Sequence, residues 1–203
     1  TVDVEGRGMP ASAGRGLAAD RNLRQTFQNP QTFDVQQIVL SQRVEAGGVN
    51  AGYEMRIYEV DDVNADTWTP GALVAEILFP TGSVLPVTSL SRLGFALSDA
   101  DVFTLPQRND GVMGYGIEIS NGDDATTIGT IRHTNFTDVD GNLVDYYATG
   151  KFYTESGGQS GSGHRDIGLA LSPSVLDVPI PEPTAAALAA VGLVAGLRRR
   201  RRS

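Results

Sequence analysis

Cysteine is absent from this 203-residue chain, which removes disulfide staples, thiolate catalysis and cysteine-ligated zinc from consideration. Histidine is scarce: with only His133 and His164 present, a histidine-based metal centre would have to recruit carboxylates brought close by the fold. Aromatic residues make up 7% of the chain, with one tryptophan, six tyrosines and seven phenylalanines, so most rings are expected in packing rather than in an extended stacking surface. Basic residues are outnumbered in the body as well. Positions 1 to 180 carry 11 basic residues against 23 acidic ones, a net of about −12, because Arg198 to Arg202 hold five of the 16 basic residues. A body of that sign repels nucleic acid. Finally, no helical apolar stripe of useful length occurs before residue 184, which excludes the crossover helices that a parallel sheet requires.

What is present is turn-rich but globular. Hydrophobic residues are 40% and charged residues 20%, with 24 glycines and 10 prolines, a mix that folds into one domain of ordinary size plus tails. Residues 1–20, "TVDVEGRGMPASAGRGLAAD", show no sustained period and read as a leader or linker with at most a short first strand. The chain opens at Thr1 without an initiator methionine or a charged-then-apolar segment, so a removed export signal is an expectation. From Arg21 onward short alternations appear: "TFDVQQIVLSQRV" with Phe33 and Val35 in one phase and Ile38 and Leu40 in the other, as a bulge near Gln36 and Gln37 would produce. "GYEMRIYEV" sets Tyr53, Met55 and Ile57 against Glu54, Arg56 and Tyr58. "ALVAEILF" aligns Leu73, Ala75, Ile77 and Phe79; "MGYGIEIS" aligns Tyr115, Ile117 and Ile119; "DIGLALS" aligns Ile167, Leu169 and Leu171. Turn residues separate these runs at Gly47-Gly48, Asp61-Asp62, Thr69-Pro70-Gly71, Asn109-Asp110-Gly111, Asn121-Gly122-Asp123 and Asp140-Gly141-Asn142. The pattern predicts an all-β fold, a two-sheet antiparallel jelly-roll-like sandwich over residues 21–174.

The end of the chain is organised differently. A proline-rich linker over 175–183 contains Pro181, Glu182 and Pro183, and residues 184–197, "TAAALAAVGLVAGL", carry no charge before Arg198, Arg199, Arg200, Arg201 and Arg202. The small and aliphatic residues predict a C-terminal apolar helix over 184–203 whose uncharged part rises about 21 Å, short of the roughly 30 Å hydrocarbon core. Five arginines would hold its end on the cytoplasmic side, as a stop-transfer device does. This order of Pro-Glu-Pro, apolar segment and arginine cluster resembles the PEP-CTERM sorting signal of exopolysaccharide-producing Gram-negative bacteria. The resemblance implies that Pro181, Glu182 and Pro183 are recognition residues for an exosortase-type membrane processing enzyme, and that Arg198 to Arg202 retain the tail on the cytoplasmic side. It implies export, an inner-membrane intermediate, and a final place at the cell surface or in the extracellular matrix. The alternative is a flexible linker with a solvated basic end, which would not need an uncharged apolar segment.

The body is similar, in the order of "LRQTFQNPQTFDVQQIVL", "YEMRIYEV", "PGALVAEILF", "GYGIEIS", "YYATGKFYTESG" and "RDIGLALS", to the surface β-sandwich domains called choice-of-anchor domains. That resemblance implies an architecture like that of carbohydrate-binding modules and no established activity.

Candidate sites are few. "GGQSGSGHRD" brings Ser160, Ser162, His164 and Asp166 together in sequence, but "GQSGS" lacks the last glycine of a nucleophile elbow and no helix is expected after it; a loop feeding the last strand is the competing reading. "DVDGN" with the nearby Asp145 sets Asp138, Asp140, Asn142 and Asp145 as hard oxygen ligands suited to calcium, without the full twelve-residue loop; a turn with solvated carboxylates competes. Asp123 and Asp124 are weaker candidates of the same kind. For polysaccharide, exposed rings matter, because their faces stack on sugar rings. Trp68 lies in a loop between Asp66 and Pro70, with Tyr147 and Tyr153 as further contacts and Tyr146 and Arg165 beside them. Against this stands Trp68 as a cap on one end of the sandwich. The expectation is a non-enzymatic exported surface or matrix protein with no required cofactor, the alternative a carbohydrate-binding module, and a hydrolase built on His164 a distant third.

Overall fold

The computed structural model describes residues 2–3, 13–16, 22–44, 53–79, 91–121, 129–137, 143–144, 149–153 and 165–175. Among them fifteen strands succeed one another in chain order: β1 (Val2–Asp3), β2 (Ala13–Gly16), β3 (Leu23–Phe27), β4 (Phe33–Val35), β5 (Gln37–Val44), β6 (Tyr53–Val60), β7 (Leu73–Phe79), β8 (Ser91–Ala96), β9 (Phe103–Leu105), β10 (Gly114–Asn121), β11 (Gly129–Thr137), β12 (Leu143–Val144), β13 (Phe152–Tyr153), β14 (Arg165–Ile167) and β15 (Leu169–Ser172). No helix occurs in the described residues, and every strand pair is antiparallel. The expected C-terminal apolar helix and the expected sorting signal lie outside them.

Two sheets hold the core between them. One runs β13-β3-β10-β6-β7; the other has the path β1-β15-β5-β11-β12 with β14 and β2 on β11 and β8 on β5. From the first, Leu23, Phe27, Met55, Ile57, Ile77, Tyr115, Ile117, Ile119 and Phe152 turn inward; from the second come Ile38, Leu40, Phe95, Ile167, Leu169 and Leu171, all in one buried cluster. Each such side chain removed from water contributes about 1.5–3 kcal/mol. Phe79 and Phe95 meet across the sheets with ring centroids 4.6 Å apart. Gln25 is fully buried as well, with its Oε1 accepting from Ile167 N at 3.1 Å and its Nε2 donating to Thr26 O at 3.1 Å. A buried amide is tolerated because both ends are bonded.

The alternations read from sequence match the inward rows, with two differences. The phase change after Val35 is a change of sheet, where a bulge was expected: β4 pairs with β9 in a separate two-stranded ribbon, and β5 continues in the larger sheet. Gln36 is the corner, its N–H donating to Ser172 O and its carbonyl accepting from Leu97 N, both at 2.9 Å. Leu73 also departs from the inward row. The register slips between Ile57, which faces Ala75, and Tyr58, which faces Leu73. The extra residue, Val74, turns Leu73 to the outer face, where it is 51% exposed, as the reversal of phase across a bulge requires.

Candidate functional site

The outer face of the five-stranded sheet carries an ordered set of polar and aromatic side chains. Cross-strand register places Tyr153, Arg24, Glu118, Arg56 and Glu76 in one row over β13, β3, β10, β6 and β7. Charge alternates along the last four. Arg24 Nε donates to Glu118 Oε2 at 2.5 Å, Arg56 Nε donates to Glu76 Oε1 at 2.7 Å, and Arg56 Nη2 donates to Glu54 Oε1 in the next row. Opposite charges facing each other across antiparallel strands add roughly 0.2–1 kcal/mol per pair. The bond from Arg56 holds the Glu76 carboxyl below its ordinary value, and the reciprocal bond holds the Arg56 guanidinium above its own.

The next row is interrupted by glycine. Gly116 on β10 faces Thr26 on β3 and Tyr58 on β6, and the space above it is filled by Trp68. A Cβ at Gly116 would lie 2.4 Å from Trp68 Cη2 and 2.6 Å from Cζ3. Two residues earlier, a Cβ at Gly114 would lie 2.4 Å from Val63 Cγ1. The two missing side chains form a trough along the central strand, and the connection from β6 to β7 lies in it.

That connection, residues 61–72, is a strap. Although β6 and β7 are neighbours, the chain between them travels across the sheet and back. Arg108 Nη2 donates to Asp61 Oδ1 at 3.0 Å where the strap starts. Asn64 N donates to Asp62 Oδ1 at 2.8 Å, an Asx turn. Val63, 1% exposed, is bonded on both sides: its N–H to Val112 O at 2.8 Å, and its carbonyl to Thr26 Oγ1 at 2.6 Å. Ala65 O accepts from the Tyr153 hydroxyl at 2.7 Å, and Lys151 Nζ lies 3.1 Å from Asp66 Oδ1. Trp68 then returns over β10, and Gly71 N donates to Glu59 O at 2.8 Å as β7 begins. A shallow depression of about 260 Å³ on the strap is lined by Asp61, Asp62, Ala65, Thr69, Pro70 and Gly71.

Trp68 is half-buried and gripped from its sides. Its ring meets Tyr153 at 5.7 Å and Tyr58 at 6.1 Å, both edge-to-face, and the Arg24 guanidinium stands 5.8 Å from its centroid. Edge-to-face pairs add about 0.5–1.5 kcal/mol beyond area burial, and the cation adds about 0.5 kcal/mol or more. The indole therefore has a fixed orientation on the outer face of the sheet.

Burial raises the phenol pKa of Tyr153, with Asp62 and Asp66 adding to the rise and the Thr26 hydroxyl opposing it. Burial also raises Tyr115, with Glu59 adding, and Tyr58, with Glu118 adding. A neutral acid whose folded pKa lies above the unfolded value destabilises nothing while it stays protonated, and its ionisation is what the fold resists. Below the unfolded pKa such a phenol is neutral in both states and stability is flat; above it the unfolded chain ionises first, so stability falls as pH rises through the folded value. Stability should therefore hold to about pH 10, the ordinary phenol value, and fall above it. Phenolate absorbance followed against urea midpoint from pH 9 to 12 should show ionisation lagging a free tyrosine and then rising with unfolding. Tyr153→Phe should flatten part of that alkaline decline, and an unchanged slope would count against Tyr153 as a contributor.

Of the residues singled out in sequence, Trp68 and Tyr153 are brought together here. Tyr153 is 1% exposed; with its ring against Trp68 and its hydroxyl on Ala65 O, it holds Trp68 from one side and offers no face of its own. Arg165 and Asp166 lie on β14 and His133 on β11, where Thr134 faces Asp166 and Asn135 faces Arg165. Tyr146, Tyr147, Asp123, Asp124, Ser160, Ser162, His164, the candidate calcium ligands Asp138, Asp140, Asn142 and Asp145, and the expected sorting residues Pro181, Glu182, Pro183 and Arg198 to Arg202 lie outside the described residues. Among the described residues no group of three or more His, Cys, Asp or Glu side chains is placed to hold a metal ion. Arg24, Arg56, Glu54, Glu118 and the two glycines are not marked as site residues by any local motif. A signal for the glycines does exist, since "MGYGIEIS" puts two of them at alternate positions of a strand, where glycine marks the close approach of another segment.

No family model, no curated protein and no solved structure matches this chain.

Proposed function

We propose that the protein is a non-enzymatic, exported component of the cell surface or extracellular matrix of a Gram-negative bacterium, whose acidic β-sandwich is delivered by its C-terminal tail. The observation that carries this reading is the order Pro181-Glu182-Pro183, an uncharged apolar segment, then five arginines. In this reading residues 184–203 form the apolar helix and basic stop of an inner-membrane intermediate, an exosortase-type enzyme acts at Pro181 to Pro183, and the body is a jelly-roll domain that needs no cofactor. Calcium at Asp138 to Asp145 is a separable addition.

The test is deletion of residues 181–203. The truncated chain should keep the urea midpoint of the full one, because the buried cluster among the described residues lies between Val2 and Leu171, and should fail to reach the surface. Delivery equal to that of the full chain would overturn the sorting reading. Mass spectrometry of C-terminal peptides from externally recovered protein should find chains ending near Pro181 to Pro183; intact arginines there would overturn the processing step.

A second reading, binding of polysaccharide, is favoured by one observation: Trp68 is held half-buried on the outer sheet face beside Tyr58 and a row of charged side chains.

A further inference from the structure

The strap covers one end of the outer face, where Gly114 and Gly116 receive Val63 and Trp68. On the other side of Trp68 the sheet continues as the row Arg24, Glu118, Arg56 and Glu76, with Glu54 and Ser120 in the row beyond. We propose that this surface binds an uncharged glycan chain laid across the strands, with Trp68 and Tyr58 as its apolar wall and Arg56, Glu54 and Glu76 as its polar floor, Glu118 being buried beneath and holding Arg24. The proposal rests on the polysaccharide reading above and adds the place, the contacts and the charge class.

Three features lead to it. The wall is preorganised: an indole gripped by Tyr58 and Tyr153 loses little freedom when a sugar ring stacks on it. The floor alternates guanidinium donors with carboxylate acceptors, and a pyranose ring presents hydroxyls that are both. These side chains hold one another, Arg56 between Glu54 and Glu76 and Arg24 on Glu118, so their directions are fixed before a ligand arrives. At about 4.8 Å between strands, the row from β3 to β7 is roughly 14 Å long, which suits a short run of sugar rings better than a single one.

The charge class comes from the count. Arg24 and Arg56 face Glu54, Glu76 and Glu118, and the chain has a formal charge of −8. Both guanidiniums are already neutralised by carboxylates, so a uronate, sulfate or phosphate ester finds no unpaired cation in the row and meets an overall repulsive field. Hydroxyls without charge fit the same donors and acceptors without that cost.

Trp68 is the only tryptophan, so its emission reports on this surface alone. The full chain should be run by affinity electrophoresis through gels holding a neutral β-glucan, a neutral α-glucan or a galactomannan, and through gels holding alginate or hyaluronate. Oligosaccharides of any retarding polymer are then titrated against Trp68 emission. Expected are retardation by at least one neutral polymer, a saturable emission change, and binding at least about tenfold weaker in Trp68→Ala. Because Trp68→Ala also loosens the strap, Arg56→Ala, on the open row, is the second variant and should weaken binding about fivefold with the urea midpoint nearly kept. Neutral binding with unchanged emission and no effect of Arg56→Ala would overturn this surface and leave the polysaccharide reading standing. Retardation by the anionic polymers alone would overturn the charge class. Retardation by none would overturn both.

Discussion

Alanine at Gly114 should lower the unfolding free energy by about 3 kcal/mol, the upper end of ordinary overpacking. The added Cβ would sit 2.3 Å from the Phe27 carbonyl oxygen and 2.4 Å from Val63 Cγ1. The first of these neighbours is main chain of the adjacent strand, where Phe27 faces Tyr115 in the β3–β10 ladder. Relief requires the two strands to part at that level, which also disturbs the Thr26 bond to Val63 O. In a domain of this size the loss should appear as a fall in melting temperature of about 6–12 °C. Urea titration followed by circular dichroism measures it directly. A loss under about 1 kcal/mol would mean that the ladder can yield there, and that the strap is not seated against β10 as described.

Alanine at Gly116 differs, because its obstruction is a side chain. The Cβ meets the far end of the Trp68 ring, and the indole can swing out at the cost of its contacts with Tyr58, Tyr153 and Arg24. The expected loss is about 2 kcal/mol, accompanied by a red shift in emission as the sole tryptophan meets water. In a Trp68→Ala background the indole is gone and the remaining close neighbour is Val60 Cγ1 at 3.3 Å, the end of a side chain. There Gly116→Ala should be neutral, or stabilise by roughly 0.5 kcal/mol, since glycine is a poor strand residue. The coupling in the double-mutant cycle should therefore be about 2 kcal/mol, well above the roughly 0.3–0.5 kcal/mol seen for independent sites. Additive effects would show that Trp68 does not occupy the Gly116 notch.

The two substitutions distinguish the parts of one device. At Gly114 the trough protects main-chain pairing, and at Gly116 it accommodates a removable wedge. Both glycines have the same neighbours in sequence, apolar and tyrosine, and neither has a positive φ, which in the described residues is confined to Gly111 in the turn before β10. Their role is space, not backbone conformation.

The strap also explains why one loop aromatic could be noticed in sequence while its partners could not. Trp68 stands among Asp, Thr and Pro, a context that signals a loop and an accessible ring. Its partners are Tyr58 ten residues before it, Gly116 on β10, Arg24 on β3 and Tyr153 on β13. No local pattern connects these positions. The same holds for the charged row, where Arg24 and Glu118 are 94 residues apart. Alternation in "LRQTF" and "YGIEIS" says that Arg24 and Glu118 point away from the core. It does not say that they face each other.

The sequence by itself determined that the body is all-β, because period-2 apolar runs bounded by turn residues leave a pleated, half-buried surface as the only way to bury them. It determined which residues of β6 and β10 face the core, that cysteine chemistry is excluded, and that the last residues run from Pro-Glu-Pro through an uncharged apolar segment to five arginines. Only the tertiary structure decided that the chain changes sheets at Gln36, that Leu73 turns outward through a register slip, and that the β6–β7 connection crosses the sheet before returning. The physical reason is common to all three: side-chain period fixes a face, whereas partner, register and path are set by packing and hydrogen bonds between segments distant in sequence.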